Sequence, residues 1–121
     1  MLFGRTVLIV EAQYLIALDL QHTLEDLAPG NVIIAQNAQD ARQKAASTCE
    51  VAIVEVETNL SDNIALVGEL LRQGVPVIAL TADSDLQQNL NWFSDTPILL
   101  KPAPADRVLA AIGELRMPQK E

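Results

Sequence analysis

Apolar side chains fall along this chain in two alternating rhythms. Five short unbroken runs, Thr6–Val10, Asn31–Ala35, Val51–Val54, Pro76–Leu80 and Pro97–Leu100, are rich in Val, Ile and Leu. Between them apolar residues recur every three or four positions. The unbroken runs suit strands buried on both faces of a parallel sheet, and the longer spacing suits helices with one buried face. The first predicted helix covers Gln13 to Leu27, with Ile16, Leu20, Thr23, Leu24 and Leu27 inward and Pro29-Gly30 as its stop. A second opens at Asn37, a good N-cap, and buries Ala38, Ala41 and Ala45 by close packing. A third follows Ser61-Asp62, turns Ile64, Val67, Leu70 and Leu71 inward, and ends at Gly74-Val75-Pro76. A short fourth covers Asp85–Phe93. The fifth follows Pro104, which suits a first helical position, and aligns Val108, Leu109, Ile112 and Leu115. Arg116–Glu121 is expected to be a frayed polar tail.

Strand and helix alternating five times predict an α/β fold: a doubly wound, five-stranded parallel sheet in one domain, residues 1–121. The common order for such a sheet is 2-1-3-4-5, which makes the first and third strands neighbours. A chain of 121 residues, half of them apolar and few aromatic, builds one core from aliphatic side chains and alanine. The net charge of −8, with its positive residues scattered, argues against nucleic-acid binding. No run approaches the roughly 20 apolar residues of a membrane span, and Met1–Val10 lacks the layout of a signal peptide. The single cysteine, Cys49, has no partner for an internal disulfide. Together these features predict a soluble, cytoplasmic protein without a membrane association.

The runs end on polar residues that their own pattern does not explain: Glu11, Glu55, Thr81 and Lys101. The carboxyl ends of parallel strands share one edge of the sheet, and ligand sites form there. Two carboxylates, a hydroxyl and an ammonium are therefore expected in one cleft. A solvent-turned strand-end carboxylate is the plainer reading of Glu55. An independent weak metal site from Glu11, Glu55 and Glu57 is another alternative, although alternation puts Glu57 in the loop just past the strand. His22 has no nearby Cys or second His and reads as a surface or interface side chain. No Gly-rich phosphate loop, activated nucleophile or metal-ligand spacing is present, so catalysis is not expected.

At these positions the chain resembles bacterial two-component response-regulator receiver domains, over roughly residues 5–115. Val7-Leu8-Ile9-Val10-Glu11-Ala12-Gln13 is similar to their first strand and acidic turn. Glu55 falls where their phosphoacceptor aspartate lies, Thr81-Ala82 matches their switch Thr/Ser and small residue, and Lys101-Pro102 matches their Lys-Pro step. The resemblance implies a flavodoxin-like (βα)5 fold and a place in phosphorelay signalling. The partners it implies are a histidine kinase, a phosphotransfer protein or another signalling protein.

Three departures bear on function. Ala12 stands where a carboxylate usually ligates magnesium, Glu55 replaces the phosphoacceptor Asp, and Ile98 replaces the usual switch aromatic. Magnesium demands near-octahedral oxygen ligation at about 2.1 Å, so its binding is expected to be weak or absent and no cofactor is expected. Glu55 carries its oxygens over ~1 Å further out, and misplacement on that scale can cost phosphoryl transfer about 100-fold. The expectation is an atypical, stand-alone receiver acting by phosphorylation-independent protein–protein contact. Its site would be fixed by Glu55 pairing with Lys101 and accepting a hydrogen bond from Thr81, in an on-like or off-like geometry. The alternatives are a functional phosphoacceptor, phosphorylated despite the Glu substitution, and a small α/β enzyme outside phosphorelay. On the first helix Leu15, Leu18 and His22 form an outer face, the surface through which receivers meet kinases. The face that supports dimerisation in relatives would include Gln87, Asn91, Trp92 and Val108, which makes a homodimer one expectation; Trp92 reads equally well as an interface anchor or as a core side chain.

Overall fold

The apolar runs pair as five parallel strands, β1 (Thr6–Val10), β2 (Asn31–Ala35), β3 (Val51–Glu55), β4 (Val77–Thr81) and β5 (Ile98–Leu100), in the order β2-β1-β3-β4-β5. This computed structural model describes residues 2–45, 48–89 and 96–117. Five helices follow the strands: α1 (Tyr14–Leu24), α2 (Ala38–Lys44), α3 (Ser61–Arg72), α4 (Ser84–Asn89) and α5 (Ala105–Glu114).

Alternation along each central strand divides the core in two. Leu8, Val10, Ala52 and Val54 face a layer containing Ala38, Ala41, Leu66, Val67 and Leu70 of α2 and α3. Val7, Ile9, Val51 and Ile53 face Ala17, Leu20 and Leu24 of α1 and Val108, Ala111 and Ile112 of α5. Alanines on α2 bring that helix close to the sheet, as expected. The edge strands depart from burial on both faces: β2 buries only Ala35, and Leu100 at the end of β5 is 38% exposed.

Helix ends account for the other differences. The first helix closes at Leu24 and continues as a 3-10 turn, Glu25–Leu27, which Ala28 ends in the left-handed region at φ 51°. Pro29-Gly30 is therefore not the stop. Gly30 is needed for close approach instead, since a Cβ there would lie 2.7 Å from the Gly4 carbonyl oxygen. Asn37 caps α2 as predicted, its side chain accepting from the Asp40 N–H at 2.8 Å. Pro104 is the N-cap of α5 and not its first residue, with ψ 152°. Met117 packs half-buried on the core, and the rest of the expected tail, residues 118–121, lies outside the described residues. The fourth helix starts at Ser84, one residue early, and the predicted end at Phe93 lies outside the described residues.

The third helix ends in a two-bond left-handed cap. Gly74, at φ +81°, donates to the Leu71 carbonyl at 3.0 Å, and Val75 donates to Leu70 at 2.9 Å. Buried Leu70 and Val75 close this corner and aim the chain into β4. No helix among the described residues is long and apolar enough to cross a membrane. A side chain at Gly74 forces the left-handed conformation on an L-residue, so Gly74→Ala is expected to lower stability by about 1–2 kcal/mol. Urea unfolding should show a lower midpoint with an unchanged slope.

Candidate functional site

Strand register assembles the cleft. Val10 pairs with Val54, so Glu11 and Glu55, one step beyond, emerge side by side from β1 and β3. Glu55 pairs with Leu80, which puts Thr81 one position further along β4. The Lys101 N–H donates to the Thr81 carbonyl at 2.7 Å, bringing the residue after β5 to the same edge. A cis peptide bond joins Lys101 to Pro102.

The Lys101 ammonium lies between the two acids, 3.0 Å from Glu11 Oε1 and 2.6 Å from Glu55 Oε2. Each carboxylate spends its other oxygen on the turn after β1: Glu11 Oε2 accepts from the Gln13 N–H at 2.9 Å, and Glu55 Oε1 from the Ala12 N–H at 3.2 Å. All four carboxylate oxygens are thus engaged. The residues Glu11 and Glu55 are 1% and 7% exposed. Burying three charges is costly, and it is tolerated here because each has opposite charge and hydrogen bonds around it. Burial pulls the Lys101 ammonium down, but bonds to Glu55 and Glu11 outweigh it and leave the group above its ordinary value.

Two further polar groups hold this edge in place. Asn63, in the first turn of α3 and 3% exposed, donates to the Glu55 carbonyl at 2.9 Å and accepts from the Ala38 N–H at 3.0 Å. It was not among the sequence candidates, because an Asn at a helix start reads as a local cap. Thr81 does not bond Glu55 as expected. Its hydroxyl donates to Glu57 Oε2 at 3.2 Å, and the Ala82 N–H donates to Glu57 Oε1 at 2.8 Å. The one-residue stagger between Glu55 and Thr81 leaves the hydroxyl facing the loop after β3, where Glu57 sits. With Glu57 so engaged, Glu11, Glu55 and Glu57 do not converge on one point, and no metal-holding group of three acidic, His or Cys residues occurs among the described residues.

No protein-family model matches the chain, and no curated protein matches it in sequence. Solved structures do. The PhyR stress response regulator is 26% identical with a TM-score of 0.72; the match covers 93% of this chain and 45% of that one. Chemotaxis protein CheY4 of Vibrio cholerae is 22% identical with a TM-score of 0.75, over 93% of this chain and 99% of that one. The receiver domain of Erythrobacter litoralis PhyR is 21% identical with a TM-score of 0.72, over 98% of both. This chain has the response-regulator receiver fold. It spans about half the length of the longer PhyR regulators it matches.

On this receiver fold the outer face of α1 is open. Leu15 is 80% exposed and Leu18 37%, with His22 exposed beside them and its Nδ1 3.5 Å from Glu25. A cavity of about 520 Å³ runs from Leu15 and Ile16 to Lys101, Pro102 and Ala103, so this face adjoins the charged cleft. Burial pushes the Cys49 thiol up to about 11, which leaves it unreactive as a nucleophile. Trp92 and Asn91 lie outside the described residues.

Replacing Lys101 by Met leaves two buried carboxylates uncompensated and is expected to cost about 3–5 kcal/mol at neutral pH by urea unfolding. A raised lysine value means that its contribution is fully present below ~10.5 and is lost as pH rises through the higher folded value. The gap between wild type and Lys101→Met should accordingly stay flat upward from neutrality and narrow only above ~10.5. Asn63→Ala strands a buried carbonyl and a buried amide and is expected to cost about 1–3 kcal/mol in the same assay.

Proposed function

We propose that this domain acts in response-regulator signalling as a protein-docking module whose site is held by an internal ion triad instead of being set by phosphoryl transfer. The observation that carries this reading is the Lys101 ammonium bonded to Glu11 and Glu55 together, with every oxygen of both acids engaged. In-line phosphoryl transfer needs an acceptor oxygen free to attack and a metal ion to neutralise developing charge. Here the acceptor position carries a longer side chain whose two oxygens hold an ammonium and a backbone amide.

The donor set also fits magnesium poorly. The ion needs oxygen ligands at about 2.0–2.1 Å in octahedral array. Ala12 supplies no side-chain oxygen, and the neighbouring acids already share a cation. Displacing that ammonium would leave a buried lysine without its partners.

Among the structural neighbours, PhyR is a stress response regulator, described in Bartonella quintana as an anti-anti-sigma factor, and CheY4 is a chemotaxis protein. A histidine kinase, a phosphotransfer protein or another regulator is the partner class this suggests. The open apolar face of α1, with Leu15 and Leu18 beside His22, is the docking surface this reading favours.

Acetyl phosphate or beryllofluoride with magnesium should leave the intact mass and the amide spectrum of the site unchanged. A magnesium-dependent phosphoryl adduct on Glu55 would overturn the reading in favour of a working phosphoacceptor. Leu18→Asp should weaken capture of a cognate kinase or phosphotransfer domain at least tenfold while leaving the unfolding free energy within about 0.5 kcal/mol of wild type.

A further inference from the structure

Glu57 stands at the head of a continuous set of hydrogen bonds that the ion triad does not use. It lies half-buried in the loop between β3 and α3. Its carbonyl accepts from the Leu60 N–H at 2.9 Å, and the Leu60 carbonyl accepts from Ile64 at 3.2 Å inside α3. On the other side its carboxylate takes the Thr81 hydroxyl at 3.2 Å and the Ala82 N–H at 2.8 Å. The Thr81 oxygen in turn accepts from the Asp83 N–H at 3.1 Å. Asp83 Oδ1 then accepts from Asp85 at 2.9 Å and Leu86 at 3.3 Å, capping the first turn of α4.

We propose that Glu57 is a positioning residue that couples the start of α3 to the start of α4 through Thr81 and Asp83, so that the carboxylate sets the conformation of the β4–α4 loop. Three features favour a relay over an isolated surface contact. Thr81 is fully buried, so its hydroxyl has few alternative partners. That hydroxyl donates to Glu57 and accepts from Asp83 at once, so its rotamer answers to both. Asp83 is oriented through its own backbone N–H while its side chain caps α4, so a turn of that residue moves the cap. The coupling holds whether or not Glu55 can accept a phosphoryl group, and it therefore stands apart from the reading above.

Amide exchange by NMR on the full chain tests the relay. Glu57→Ala and Thr81→Val should each speed exchange at Asp85 and Leu86, which do not touch Glu57, by about tenfold. Combining them should add little, because both cut the same connection. Thr81→Ser, which keeps the hydroxyl, should restore slow exchange. Faster exchange at Ala82 alone, unchanged Asp85 and Leu86, or independent effects that multiply in the double variant would overturn the proposal. So would an equal rise throughout β1 and β3, since that would report a general loss of stability.

Discussion

One ammonium shared by two carboxylates is the contact on which the charged edge of this domain depends. Each of the three groups comes from a different strand end, and each would be poorly solvated where it lies. Removing the lysine leaves two buried carboxylates without a counter-charge, whereas removing either acid leaves the other still paired with the ammonium, so the lysine is the member the site can least lose. The backbone joins the arrangement through the Ala12 and Gln13 amides, which occupy the carboxylate oxygens the lysine does not reach. The turn after β1 is thus ordered by the same charges that make the cleft.

The sheet makes this convergence a matter of register. Parallel pairing of β1 with β3 brings two strands 44 residues apart in sequence into step, Val7 opposite Val51. Aliphatic side chains fill both faces of the central strands, and helices cover each face, so the polar strand ends have only the open edge to meet on. A small-residue surface on α2 and larger side chains on α1, α3 and α5 reflect different separations from the sheet.

Much of this was readable beforehand because it rests on periodicity. The limits of β1 and β2 follow their apolar runs residue for residue, and the strand order follows from what five-stranded doubly wound sheets commonly do. Glu11, Glu55 and Lys101 could be placed together because strand ends share an edge whatever the intervening helices do. Features set by loop geometry were not readable. The partner of Thr81 depends on the path of residues 56–60, which hydrophobic patterning does not constrain. Asn63 is polar at a helix start and gives no sign that it is buried. Ala28 ends its segment in a backbone region that alanine seldom adopts, so nothing in its side chain announces it. The exposure of Leu100 follows from its strand being the last in the sheet, a property of neighbours and not of the run itself.

The Asn63 carboxamide also bears on the order of assembly. The first amide of α2 is satisfied by a side chain 25 positions further along the chain. As the chain emerges from a ribosome, Asn37 can begin that helix locally, but its first turn stays incompletely bonded until α3 has formed and docked. One carboxamide thus ties the start of helix two, the start of helix three and the end of β3 to one another.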